Sequence, residues 1–311
     1  MRLTFSILSL SVVMLGPGRA LAQFPTLRLA VVPAPDETGL LRELLPDFER
    51  ESGYRVVVYS GEDVYDAARS GQADLVISHY GHSGVEAFMA QGLGLWPRAV
   101  FANQIGVIGP ADDPARIRGL QDAGEALRRI ALSGGSRFVS NNSSIMKYLE
   151  SVLLEAAERP RKDTWFVDTG VSESDGMALA ARMRAYYIFA LPPFLRWKRD
   201  CLDSAQRGGG DRRLLRPIGA RDRGTDPAPC DMDALLLAGP MPHRIMVSIV
   251  VNPGRVPAVN VSGASALQDY LLRPAVQARI ERFRDSSSEH QLWKAAGLHN
   301  SAAGLGFGRR P

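Results

Sequence analysis

The chain has 311 residues, 45% hydrophobic and 23% charged, with a formal net charge of +4 and a pI near 9.2. That length is ample for two lobes of ordinary domain size. The charge includes Arg2 and Arg19, so from Gln23 onward it is only +2 and spread along the chain, which gives no reason to expect a nucleic-acid partner.

Residues 1–22 open with Arg2, run apolar from Leu3 to Leu15 and end in Ala20-Leu21-Ala22. A basic start, a hydrophobic stretch and a small-x-small site make the pattern of a secretory signal cut before Gln23. The apolar run is shorter than the ~20 residues a membrane span needs, and no cysteine follows the cut to carry a lipid. A soluble protein exported to the periplasm is expected.

"LRLAVVP" is a short β-branched run, followed by the loop "APDET". "GLLRELLPDFERESG" places Leu40, Leu41, Leu44, Leu45 and Phe48 on one helical face and stops at Gly53, with Pro46 as an irregularity. "YRVVVYS" is the next strand, "VYDAARSG" a short helix, "ADLVISHY" a buried strand, "GVEAFMAQG" a helix and "AVFANQIGVIGP" a long strand. Strands alternating with helices through short loops predict parallel sheets with helices on both faces. Ligands of such sheets sit beyond the carboxyl ends of the strands, where Asp36-Glu37-Thr38, Ser60-Gly61-Glu62 and His79 stand.

The pattern then restarts. "EALRRIALSG" reads as a helix, "RFVS" as a strand, and the helix that follows carries Ile145, Leu149, Leu153 and Leu154 inward. "DTWFVDT" is a strand, "SDGMALAARMR" a helix and "AYYIFAL" a strand. After an irregular stretch come the strand "RIMVSIVVNP" and one or two helices in "GASALQDYLLRPAVQARIERF". The expected fold class is α/β with two lobes, each a sheet flanked by helices, joined by crossing strands near Gln104–Ile108 and in "MVSIVV". Residues 23–104 and 249–311 would form one lobe and 105–248 the other.

Five small polar residues, Ser140, Asn141, Asn142, Ser143 and Ser144, are crowded where a middle-lobe strand meets its helix. Ser and Asn cap helices, but capping uses one or two of them. The surplus points to a ligand at the free N–H groups of the first turn. His79 and His82 lack the Cys or carboxylate partners of a metal set, so His79 is read as a polar group of the site. No nucleophile triad and no phosphate-binding glycine loop is present, so neither catalysis nor a cofactor is expected.

Several stretches together resemble the tungstate-binding group of periplasmic solute-binding proteins: "TGLLRELLPDFERESGYRVVV", "GQADLVISHYGHSGVEAFMAQGLGLWPRAVFANQIGVIGPADDPARI", "FVSNNSS", "WFVDTG", "GMALAARMRAYYIFA" and "VSIVVNPGRVPAVNVSGASALQDYLLRPAVQARIERF". The resemblance covers most of the chain from Gln23. It implies a bilobal ABC-importer receptor of type II topology, a monomer that holds a small oxyanion between its lobes and docks on a membrane permease.

The loops that would clamp the oxyanion depart from that group. Asp36-Glu37-Thr38 follows Pro33-Ala34-Pro35 where the group has a Thr/Ser-rich clamp, and Ser60-Gly61-Glu62 replaces a Gly-Thr-Gly turn. Asn141 stands where the group has an Arg, Asn142-Ser143-Ser144 follows it, and Ser172, Glu173 and Asp175 occupy the fourth turn. An oxyanion site wants N–H donors and an Arg, whereas carboxylates repel a dianion. The loops therefore argue against tungstate itself and favour a ligand with a cationic or hydrogen-bond-donating group, unless the acids point to solvent. Two other readings stay open: a receptor feeding a sensor kinase, and an exported enzyme using His79 with Asp36 or Glu62.

The stretch at about 199–235 departs from the resemblance. It carries Gly208-Gly209-Gly210, clustered arginines and several prolines, and reads as an inserted loop. The chain's two cysteines, Cys201 and Cys230, bracket it. In an oxidising compartment such a pair is expected to form a disulfide, the alternative being two free thiols.

Overall fold

The protein is described by a computed structural model, which covers residues 24–82, 84–206, 230–237, 243–284 and 290–296. The Gly-rich run at 208–210, the arginine cluster and the expected signal at 1–22 lie outside the described residues.

The first half alternates as the periodicity requires. Strand β1 (Thr26–Val31) leads into the short helix α1 (Pro33–Glu37) and then α2 (Leu40–Ser52). Strand β2 (Arg55–Ser60), helix α3 (Val64–Arg69), strand β3 (Leu75–His79), helix α4 (Val85–Ala90) and the long strand β4 (Arg98–Pro110) follow. The α2 face of Leu40, Leu41, Leu44, Leu45 and Phe48 is buried, and Gly53 closes the helix at φ 72°, a conformation that suits glycine. Pro46 is exposed inside α2. The stretch read as the loop "APDET" is mostly α1, with Pro33 at its start, where a missing N–H costs nothing.

The second half adds α5 (Ala123–Leu132), β5 (Phe138–Val139), α6 (Ser144–Ala156), β6 (Phe166–Val167), α7 (Glu173–Met183), β7 (Tyr186–Ala190) and α8 (Leu191–Gln206). Strands β8 (Met232–Leu236) and β9 (His243–Val250), helices α9 (Val261–Leu271) and α10 (Pro274–Arg282) and strand β10 (Trp293–Ala295) complete it. Helix α8 and strand β8 occupy ground read as irregular or inserted, so the expected insertion at about 199–235 includes ordered ends.

The sheet order β2-β1-β3-β9-β4-β7-β5-β6 reveals the two lobes. β1 pairs β2 and β3 in parallel, and β9 is inserted antiparallel between β3 and β4. Residues 98–104 of β4 pair with β9, whereas residues 105–110 pair with β7 and β8. β4 and the line of β8 and β9 beside it thus both run through the join. β9 pairs with the first sheet from His243 onward, so the boundary expected at 249 falls inside a strand.

The buried apolar side chains form two clusters, the larger of which continues from the first lobe into the second through Tyr187 and Phe189 on β7. Leu29, Val31, Ile77, Phe101, Ile249, Leu267 and Trp293 belong to the first. Leu127, Ile130, Phe138, Met146, Leu149, Trp165 and Ile188 belong to the second, between α5, α6 and the sheet. The first is pinned at its edge by Asp74, fully buried, which accepts from the Arg28 backbone N–H and guanidinium and from the Asn260 N–H. Cys201 and Cys230 form a disulfide between the end of α8 and the start of β8. Among the described residues no helix is long and apolar enough to cross a membrane.

Candidate functional site

Between the lobes lies a cleft of about 520 Å³, within the ~300–1,000 Å³ typical of small-molecule sites. One wall is the carboxyl edge of the first sheet. Here β1 turns into α1 at Val32–Ala34, and β3 ends at His79. Antiparallel pairing sets His79 opposite Met246 on β9, so the Arg244 side chain comes up beside His79. The guanidinium Nη2 lies 2.6 Å from His79 Nε2. Because arginine only donates, Nε2 accepts and the His79 proton sits on Nδ1. Burial, then Arg244 and His82, push the His79 pKa down to about 2, so the ring is neutral.

Arg244 is itself buried, with 11% of its side chain exposed. Burial lowers its pKa, and Glu173 and Glu62 partly restore it. Among the described residues its one ion-pair partner is Glu173 at 3.8 Å, and its Nε has no hydrogen-bond partner. Asn103 on β4 is the direct cross-strand partner of Arg244, and its Oδ1 also lacks a partner. His82 is turned so that its Nδ1 accepts from the Gly84 N–H while Nε2 faces the Glu62 carbonyl at 3.1 Å. Burial lowers the His82 pKa in spite of Glu62.

The opposite wall comes from the second lobe. Asn142 and Ser143 precede α6, Glu173 and Ser174 begin α7, Phe189 lies on β7, and Pro193 and Arg196 lie on α8. Glu173 holds a φ of 47°, a left-handed backbone unusual for a side chain of this kind. Two bonds secure it: its N–H donates to Asn141 Oδ1 at 3.3 Å, and its carbonyl accepts from the Tyr187 hydroxyl at 2.9 Å. Gly176 makes room for that hydroxyl, since a Cβ there would collide with Tyr187. Asn142 donates to Asp168 at 2.9 Å. Lys147, then Asn142, hold the Asp168 carboxyl down at about 2. At the rim, Arg196 Nη1 lies 2.7 Å from both carboxylate oxygens of Glu37, an ion pair that spans the cleft.

With that geometry, the comparisons with known proteins become specific. Residues 29–183 match the bacterial extracellular solute-binding protein family. A putative ABC transporter anion-binding protein of Haloferax volcanii is 28% identical over 269 residues, 85% of this chain and 70% of the relative. The chain is a solute-binding protein, similar to those of the tungstate-binding type. A tungstate-binding protein of Peptoclostridium acidaminophilum is 25% identical to this binding protein over 262 residues, 82% of this chain and 80% of the relative. Among solved structures, a tungstate-binding protein from Desulfovibrio alaskensis shares the fold with a TM-score of 0.61 at 23% identity, covering 88% of this chain and 99% of that one.

The structure brings together only part of the residue set expected for the binding protein's cleft. Glu37, Glu62, His79, Asn142 and Ser143 line it. Asp36 is within α1 and does not line it. The Thr38 hydroxyl donates to the Ala34 carbonyl and accepts from the Trp293 indole. Ser60 is an exposed end of β2, and the Gly61 N–H donates to the Val31 carbonyl. Ser140 is fully buried and donates to Glu150 at 2.7 Å. Asn141 is 1% exposed and bonds Ile188, Ser143 and Glu173. Ser144 opens α6. Ser172 takes the N-cap position of α7 and Asp175 is exposed in its first turn, neither lining the cleft.

Two expectations are corrected. Ser143 takes the N-cap position of α6, yet its side chain makes no capping bond and its Oγ is buried without a partner. The loops lack the family's Arg at 141, but the cleft holds two guanidiniums, Arg244 and Arg196, that loop-by-loop reading missed. Arg244 stands near the open end of an apolar strand, and Asn103 interrupts the apolar run "AVFANQIGVIG". A lone polar residue in a buried strand was the available signal.

Proposed function

We propose that the protein is the periplasmic receptor of an ABC importer and holds a small solute by an anionic group on Arg244. The observation that supports this is a buried guanidinium facing the inter-lobe cleft with its Nε unpartnered and one hydrogen bond, to a neutral His79, among the described residues. Hydrogen bonds to a charged donor are roughly twice as strong as neutral ones, and the low dielectric around a buried group strengthens them further. Residues 1–22 act as a cleaved export signal, the protein works as a monomer without a cofactor, and lobe closure around the solute presents it to a membrane permease. Asn142 and Ser143 meet the solute from the second lobe.

The enzyme reading, His79 with Asp36 or Glu62, has less support. The Nε2 lone pair of His79 is taken up by Arg244, and Asp36 does not line the cleft.

The test is a thermal-shift screen of oxyanions and organic acids, with mass spectrometry of co-purified solute and calorimetry on the native protein and Arg244→Met. A solute at a hundred times its Kd stabilises the folded state by about 2.7 kcal/mol. At least one anion-bearing solute is expected to do so, with affinity reduced roughly 10–100-fold by the substitution, the equivalent of ~1.5–3 kcal/mol for a charged hydrogen bond. Equal affinity in both proteins would overturn the assignment.

A further inference from the structure

The described residues hold four buried side-chain polar atoms without a hydrogen-bond partner, and three of them belong to cleft residues: Arg244 Nε, Asn103 Oδ1 and Ser143 Oγ. Unmade hydrogen bonds of buried groups are costly, so their concentration at one place marks where a solute is expected to complete them. Their chemistry differs. Arg244 offers only donors and Asn103 Oδ1 is only an acceptor. A fully ionised tetrahedral oxyanion has acceptors alone, so it can satisfy the first but not the second.

The charges agree. Glu37 is neutralised by Arg196 at 2.7 Å, and Glu173 lies 3.8 Å from Arg244. Among the described residues Glu62 has one ion-pair partner, His82 at 3.9 Å, whose ring faces the Glu62 carbonyl with burial holding it toward neutrality, and Arg244 also feels its charge. Counted together, the cleft carries two guanidiniums and three carboxylates, one negative charge in excess. A dianion would add to that excess, whereas a solute with one negative and one positive group would remove it.

We propose that the solute is a small zwitterion, its carboxylate or equivalent acid group on Arg244 and its ammonium directed toward Glu62 and Asn103 Oδ1. The proposal rests on Arg244 being the anion anchor. It adds a second recognition element, the acceptor side of the cleft, which discriminates against tungstate and molybdate.

Calorimetry of the exported protein tests it with defined probes: the standard α-amino acids, β-alanine, γ-aminobutyrate and taurine, their hydroxy-acid counterparts, and tungstate and molybdate. At least one zwitterion is expected to bind, with its hydroxy analogue weaker by tenfold or more and both oxyanions weaker still. Glu62 is 75% exposed, so Glu62→Gln is expected to fold normally while shrinking the amino-to-hydroxy preference severalfold. Absence of binding by every zwitterion, equal binding of the hydroxy analogue, an unchanged preference in Glu62→Gln, or tungstate binding tighter than any zwitterion would each overturn the proposal. If an oxyanion or hydroxy acid binds and loses affinity in Arg244→Met, the anchor stands and only the zwitterion falls. If binding ignores that substitution, both fall.

Discussion

Two stretches meet across the cleft, the polar run Ser140–Ser144 and the opening residues of β9, and they divide the labour unequally. The polar run is rich in hydrogen-bonding groups, but most are committed to the lobe's own structure: Ser140 to Glu150, and Asn141 to Ile188, Ser143 and Glu173. β9 contributes a single guanidinium and spends one hydrogen bond of it on His79. Polar density in sequence marks where a loop must be held. Unspent polar capacity in a buried place marks where a ligand is held.

The sharpest way to break that comparison is Asn141→Ala. The side chain bonds a strand carbonyl, the N–H before α6 and the N–H of the strained Glu173. Stranding those buried groups is expected to cost about 3 kcal/mol, or ~6–12 °C in thermal midpoint for a chain of this size. Loss of solute affinity at an unchanged midpoint would instead make Asn141 a ligand contact. Asn141→Arg is expected to destabilise the lobe for the same reason, since the position is 1% exposed and fully engaged.

A smaller effect sharpens the structural side. Glu150 is buried beneath the run, and burial raises its pKa against the opposing Ser140 hydrogen bond and Lys162. A raised folded pKa means the folded state holds the proton more tightly than the unfolded one. Its contribution is therefore full below the unfolded pKa and is lost as pH rises through the higher folded value. Glu150→Gln keeps an acceptor for Ser140 and removes that loss, so a midpoint a few degrees above the native protein is expected at pH 7, with the gap closing in acid. Identical pH profiles of the two proteins would contradict this reading.

Most of the fold was legible because it rests on local periodicity. The α2 face, the alternation through β4 and the inward Leu149, Leu153 and Leu154 of α6 are all buried as their spacing requires. The misses have local causes. The stretch "APDET" was read as a loop and the residues after "AYYIFAL" as irregular, but α1 and α8 place their prolines in the first turn, where a proline is tolerated. β8 was hidden because it adjoins the Arg/Gly-rich stretch. The cleft was legible where loops follow strands, at Glu37, Glu62, His79, Asn142 and Ser143. Arg244 and Asn103 needed knowledge that β9 lies between β3 and β4, a pairing separated by well over a hundred residues that no periodicity encodes.

A crystal structure of the protein with its tightest-binding solute tests the Arg244 anchor most directly. An acid oxygen of the solute is expected ~2.7–2.9 Å from the Arg244 guanidinium, with His79 still accepting from Nη2 and the lobes closed over it. A solute held only by the Ser140–Ser144 loop, with Arg244 bonded to His79 alone, would contradict it.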